Sequence, residues 1–231
     1  MNDAGCAPVV TIDGPSGSGK GTISRALASD LGFHFLDSGA LYRLTALKIL
    51  QEGIEPSDQQ ACTEAAAALH VDFQSGDDLT AEPVILLEGR DVTTKLRTEK
   101  TGNVASVIAV VRSVREALLA RQRGFRRAPG LVADGRDMGT VVFPDAEAKI
   151  FLTASAEERA RRRYKQLIGK GLSVSLADLV EEIDERDRRD AERSIAPLRA
   201  APDALVLDSS AMGIAEALER VRAFVAECLP T

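Results

Sequence analysis

Gly14, Gly19 and Lys20, within the run IDGPSGSGKGT from Ile12 to Thr22, are spaced as a phosphate cradle requires. Glycines allow left-handed backbone angles, so several N–H groups converge on one point, and a helix starting beside them adds its positive end. Lys20 then supplies a point charge for the outer phosphates of a nucleoside triphosphate. The run departs from G-x-x-x-x-G-K-[ST] in one place: Gly21 follows the lysine, and the hydroxyl comes one residue later, at Thr22. Magnesium would be held by Thr22, through water, or largely by the nucleotide. Gly14, Pro15, Ser16, Gly17, Ser18, Gly19, Lys20, Gly21 and Thr22 are the candidate triphosphate contacts.

Two further segments carry groups for whatever receives the phosphate. LVAD (131–134) is an apolar strand ending in Asp134, the usual second half of such a site, where a carboxylate orients the metal or its waters. Asp137 follows closely in DGRDMGT. A carboxylate beside phosphates is repelled unless it accepts hydrogen bonds, and an exocyclic amine is a suitable donor. In DSGALYR, Asp37 or Ser38 can cap a helix, Ser38 can also face a ligand, and Arg43 one turn on suits an anionic group.

Arginine is concentrated in two helical stretches. SAEERARRRYKQLIGKG (155–171) reads as a lid that brings guanidinium groups to the transferring phosphoryl and excludes water. Helix phase decides which of Arg159, Arg161, Arg162 and Arg163 turns inward; Arg159 and Arg162, with Lys20 and Arg136, are the candidate catalytic residues. EEIDERDRRDAERSIAPL (181–198) places Arg186, Asp190 and Arg193 at i, i+4 and i+7, on one helix face. Such a strip suits a sugar hydroxyl and a phosphate together, and equally an ordinary surface ion-pair strip.

The elements needed to position these groups are those of an α/β fold. VVTI (9–12), FHFLD (33–37), LVAD (131–134), AKIFL (148–152) and ALVLD (204–208) are short apolar runs, mostly followed by helical patterns. They predict a five-stranded parallel, doubly wound sheet whose ligands bind beyond the carboxyl ends of the strands. The motifs above fall there. Residues 60–97 break the alternation with a short alanine-rich helix and three strands, VDFQS, PVILLEG and RDVTT, separated by the turn signals SGDD and EGRD. This predicts a small inserted domain on the side of the receiving substrate, followed by a helix over 105–125. The expected organisation is a core of 8–59 and 98–229, an insert of 60–97, and a lid of 155–171 within the core.

Composition narrows the class. The chain has 231 residues and a net charge of −6, which argues against a general nucleic-acid binder. Its N-terminus lacks a basic patch followed by an apolar core, and no segment approaches a membrane span, so a cytoplasmic protein without a membrane partner is expected. Cys6, Cys62 and Cys228 are far apart, without metal or redox spacing, and read as reduced thiols. His34 and His70, the two histidines, have no carboxylate or thiol at catalytic spacing and read as structural or surface residues.

Taken together, IDGPSGSGKGT, FLDSGALYR, ADGRDMGTVVFPDAEAKIFL, RDRRDAERSIAPL and DALVLDSS resemble the bacterial cytidylate kinases, from about residue 8 to the C-terminus. G-x-x-G-x-G-K-G-T is the nucleoside monophosphate kinase form of the P-loop, which accounts for Gly21. The resemblance implies a P-loop kinase sheet with a monophosphate-binding insert and an arginine-rich lid. It implies ATP and magnesium as cofactors, CMP and dCMP as substrates, a role in pyrimidine nucleotide metabolism, and a monomer. By resemblance, Ser38, Arg115 and Asp137 read the cytosine edge; Ser106, Arg186 and Asp190 face the sugar; Arg43, Arg136 and Arg193 lie near the monophosphate. The chemistry agrees, since the cytosine N4 amine donates to Ser38 and Asp137 while N3 accepts from Arg115, and uracil reverses both. Two rivals share part of this pattern: a small-molecule kinase of the same fold for AMP, UMP or shikimate, and a nucleotide-dependent switch protein.

Overall fold

The computed structural model describes residues 7–74, 84–169, 171, 173–193 and 195–229. In chain order, β1 (Val9–Asp13) leads to α1 (Lys20–Leu31), β2 (His34–Asp37) and α2 (Ser38–Glu52). Next come α3 (Gln59–Ala67), β3 (Val71–Gln74), β4 (Val84–Leu87), β5 (Arg90–Asp91), α4 (Thr93–Leu96), α5 (Glu99–Ile108) and α6 (Arg112–Arg123). The chain continues through β6 (Leu131–Gly135), a π-helical turn (Met138–Val142), β7 (Ala148–Thr153), α7 (Ala156–Ile168), α8 (Leu176–Ala191), β8 (Leu205–Asp208) and α9 (Ile214–Cys228). It divides into two compact units, Met1–Phe35 with Arg126–Thr231, and Leu36–Phe125.

All five runs read as strands from the sequence enter one sheet, in the order β2-β6-β1-β7-β8. β1 pairs in parallel with β6 on one side and β7 on the other, and β7 pairs in parallel with β8. Every residue of β1 and β6 is buried, as expected of strands covered on both faces. The cover on the first unit comes from helical apolar stripes. Ile23, Leu27 and Ala28 of α1 and Ala217, Val221 and Val225 of α9 form one core with Val10, Ile12, Val132, Ile150 and Leu152. A second, smaller core joins α7 to α8 through Ala160, Leu167 and Leu179, with Tyr164, Val180 and Ile183 packed against it. Connections run to opposite sides of β1, so its carboxyl end opens at the switch point where ligands of such sheets bind.

The second unit holds the three-stranded antiparallel sheet, β3-β4-β5, with α3 ahead of it. Two local expectations need correction there. RDVTT is a strand only at Arg90–Asp91, because the Asp91 carboxylate accepts hydrogen bonds from Thr93 N at 2.9 Å and Thr93 Oγ1 at 2.7 Å, turning the chain into α4. The single helix expected over 105–125 is two. α5 starts early, capped by Thr98, and α6 starts at Arg112, with the Arg115 guanidinium donating to the Ala109 carbonyl at 3.2 Å in the gap. The SGDD turn signal, Cys6 and lid residue Lys170 lie outside the described residues.

Candidate active site

The glycine-rich run forms a loop between β1 and α1. Gly14 follows β1 at φ 147°, and a Cβ there would stand 2.0 Å from the Leu152 carbonyl oxygen of β7. Only glycine fits this approach to the neighbouring strand. Gly19 caps α1 in the left-handed region at φ 97°, without a side-chain hydrogen bond to the first turn. The helix therefore presents its N-terminal N–H groups to the loop, where an anion can take them.

The carbonyls of Pro15, Ser16 and Ser18 in the loop accept from cations and hydroxyls. Pro15 O accepts from Lys20 Nζ at 2.6 Å and from Ser18 Oγ at 3.1 Å. Ser16 O accepts from Arg159 Nη1 at 3.1 Å, and Ser18 O from Arg162 Nη1 at 3.2 Å and Ser209 Oγ at 3.3 Å. Arg159 is 3% exposed and also donates to Ala154 O and, through both Nη atoms, to the Asp187 carboxylate of α8. Arg162 reaches Ser209 O at 2.6 Å. Helix phase thus turns Arg159 and Arg162 onto the loop, while the Arg161 side chain is 63% exposed with Glu158 at 3.9 Å.

Beside the loop lies a network of buried charges. Asp190 is 1% exposed; its Oδ2 accepts from Arg136 Nε at 2.9 Å, and its Oδ1 from Arg193 Nη2. Burial pushes the Asp190 carboxyl up, but Arg136 and Arg193, with a smaller contribution from Arg186, outweigh it and hold the group below the usual carboxylate range. Burial equally opposes the charge on Arg136, and Asp190 more than restores it. Arg193 departs from the expected helix face. α8 ends at Ala191, so Arg193 reaches Asp190 from the segment beyond the helix. Burial pushes the Lys20 ammonium down to about 7, reinforced by Arg136 and opposed by Asp134 and Asp13.

Asp134 is next to last in its strand, which runs one residue beyond the end expected from the sequence, with Oδ2 only 3.4 Å from where a Cβ on Gly21 would stand. Asp137 is 3% exposed at the start of the π-helical turn. Sequence reasoning passed over Asp13, Asp187 and Ser209. Asp13 accepts from Met138 N and Gly139 N, each at 2.8 Å, and burial raises its carboxyl to about 7 against those two hydrogen bonds. A buried acidic residue at the carboxyl end of a central strand was the available signal for Asp13.

The remaining candidates belong to the second unit. Ser38 is buried in the first turn of α2, which Asp37 caps by accepting from Ala40 N at 3.0 Å. Arg43 Nη1 donates to Leu96 O at 3.0 Å and Thr98 O at 3.4 Å, over Gly102, where a Cβ would come within 3.0 Å of the guanidinium. Arg115, also buried, lies 5.9 Å above the Tyr42 ring. Ser106 is 4% exposed, and its Oγ makes no hydrogen bond. Buried hydroxyls are normally satisfied, so an orphan marks a place for a ligand or water.

A phosphate cradle at the switch point of a parallel sheet, with arginines on its carbonyls and a buried Asp–Arg network beside it, defines a P-loop phosphotransferase of the nucleoside monophosphate kinase class. The chain belongs to the cytidylate kinase family, whose model matches residues 10–227. It is 59% identical over 212 residues to a cytidylate kinase of Methylococcus capsulatus, covering 92% of this chain and 94% of that protein. It is 57% identical over 223 residues to a cytidylate kinase of Aeromonas salmonicida, covering 96% of each. Among solved structures, an uncharacterized protein from Eubacterium ventriosum shares the fold at 8% identity and a TM-score of 0.52, covering 95% of this chain and 98% of that one. Among the described residues no helix is long and apolar enough to cross a membrane.

Proposed function

We propose that this chain transfers the γ-phosphoryl group of ATP to CMP or dCMP, giving ADP and CDP or dCDP. The observation that carries the reading is the Arg136–Asp190–Arg193 network, buried beside the P-loop lysine: a preformed cationic site for a second phosphate, with a carboxylate for a sugar hydroxyl. The loop from Gly14 to Thr22 holds the triphosphate, and Lys20, Arg136, Arg159 and Arg162 neutralise charge on the transferring group. Ser38, Arg115 and Asp137 read the base; Ser106, Arg186 and Asp190 take the sugar; Arg43, Arg136 and Arg193 take the monophosphate. The orphan hydroxyl of Ser106 supports its share of this assignment. Residues 60–97 serve the acceptor side, and 155–171 act as the lid.

A phosphate oxygen of CMP, ionised at neutral pH, attacks the γ-phosphorus as the bond to the bridging β–γ oxygen breaks and ADP leaves. No proton has to move first, so positioning and charge neutralisation suffice. The hard oxygens of Asp134, abutting Gly21, and the exposed hydroxyl of Thr22 fit magnesium, directly or through water. Bound with the nucleotide, magnesium supplies further neutralisation of phosphate charge.

ADP formation with CMP, dCMP, UMP, AMP, GMP and shikimate in parallel, beside a no-acceptor control, tests the reading. Turnover should be fast with CMP and dCMP and poor with UMP. Asp137→Asn should cut kcat/KM for CMP by roughly ten- to a hundredfold and collapse the preference over UMP, because uracil O4 no longer faces a carboxylate. A variant that keeps the wild-type preference would remove Asp137 from the base site.

Lys20 also gives ATP binding a pH signature. With its free value near 7, Lys20 is mostly neutral at pH 8, and the triphosphate requires the charged form. Binding at pH 8 should take up most of one proton, and affinity should fall by up to about tenfold per pH unit above 7. Calorimetry in two buffers of different ionisation enthalpy measures the uptake; equal enthalpies would show that Lys20 does not change charge.

A further inference from the structure

The π-helical turn that follows Arg136 and Asp137 opens with two N–H groups for which its own carbonyls offer no partner. An aspartate at the position before such a turn ordinarily caps it with its own side chain. Asp137 holds that position, yet its carboxylate makes no capping bond. The cap comes from β1 instead: Asp13 Oδ1 accepts from Met138 N and Oδ2 from Gly139 N, both at 2.8 Å, across 125 and 126 positions of sequence. Both carboxylate oxygens are used, and the group is buried. The turn is also pressed onto the sheet, since a Cβ on Gly139 would stand 2.8 Å from Thr11 Oγ1 and 3.3 Å from the Lys149 stem.

We propose that Asp13 is a positioning residue for base recognition: by capping the turn in place of Asp137, it turns the Asp137 carboxylate toward the acceptor. Without Asp13, Asp137 rotates to cap its own turn and leaves the base edge. Both of its hydrogen bonds go to the turn and none to the P-loop, although it adjoins the first glycine of that loop.

The inference rests on the cytosine reading above, and the test separates the two. Wild type, Asp13→Asn, Asp137→Asn and the double variant are assayed with CMP and UMP, with KM for ATP measured alongside. Asp13→Asn should lose about ten- to a hundredfold in kcat/KM for CMP, lose most of its preference over UMP, and keep KM for ATP within about threefold. The double variant should discriminate no worse than Asp137→Asn, because both changes remove the same contact. Gly139→Ala, whose methyl lifts the turn from Thr11, should reproduce the selective loss, and carries the test if Asp13→Asn does not fold. A wild-type preference in either single variant, additive losses in the double variant, or an equal rise in KM for ATP would overturn the proposal. A wild-type enzyme that takes UMP as readily as CMP overturns the cytosine reading itself, and the proposal with it.

Discussion

Lys20→Met should abolish most turnover, by on the order of a thousandfold, while leaving the melting temperature unchanged or higher. The two effects have one cause. The ammonium is buried, its charge is opposed by burial and by Arg136, and its main bond goes to the Pro15 carbonyl at 2.6 Å. Folding therefore disfavours the charge on this group, and a bound polyphosphate restores it. Methionine keeps the apolar stem, and Pro15 O keeps the Ser18 hydroxyl at 3.1 Å, so no buried carbonyl is orphaned. Steady-state kinetics and a thermal melt of the same preparation decide the matter. A clear fall in melting temperature would mean that Lys20 is a clamp for the loop rather than a charge held for the ligand.

Asp190→Ala should do the opposite and cost stability first. The carboxylate sits between two guanidiniums, with side-chain exposures of 2% for Asp190, 19% for Arg136 and 6% for Arg193. Removing one partner of a buried pair leaves uncompensated charge, worth about 3–5 kcal/mol, or a fall of roughly 6–20 °C in melting temperature for a chain of this size. The acid dependence has a definite sign. Because the folded group lies below the ordinary carboxylate value, its contribution is complete above about pH 4 and disappears as pH falls through the folded value. Denaturant unfolding of wild type and variant should therefore diverge near neutrality and converge in strong acid. Equal stability at pH 7 would show that the network carries no net weight in the fold. Acceptor affinity should fall as well, since Arg136 and Arg193 lose the carboxylate that orders them.

These outcomes depend on groups of unequal visibility in the sequence. The five strands and the cradle are local patterns: β-branched runs bounded by aspartate and glycine, and glycines that a strand-to-helix turn requires. Where particular hydrogen bonds decide, the pattern misled. Ala109, Val110 and Val111 continue an apolar helical rhythm, and what ends α5 is polar and local: the Arg115 side chain on the Ala109 carbonyl, and a tightened Val111 N to Ile108 O bond at 3.0 Å. Arg193 keeps helical spacing with Asp190, but the Asp190 carbonyl receives Leu198 N at 2.8 Å, so the chain turns off α8 before reaching it. Asp13 is ordinary as the last letter of a strand. Its capping role exists only once the turn at Met138 lies against β1, which no window of sequence contains.

The bonds on the loop carbonyls have a consequence for the anion they await. In a trans peptide the C=O of one residue and the N–H of the next point in opposite directions. With Pro15, Ser16 and Ser18 carbonyls drawn to Lys20, Arg159, Arg162 and Ser209, the N–H groups of Ser16, Gly17 and Gly19 are turned the other way. Water must rotate its dipoles around each new charge, and that rotation resists the reaction; here the dipoles are already aimed when the protein folds. The arginines of α7 thus shape the electric field of a loop in which they have no residue, and a change confined to that helix alters how the loop greets phosphate.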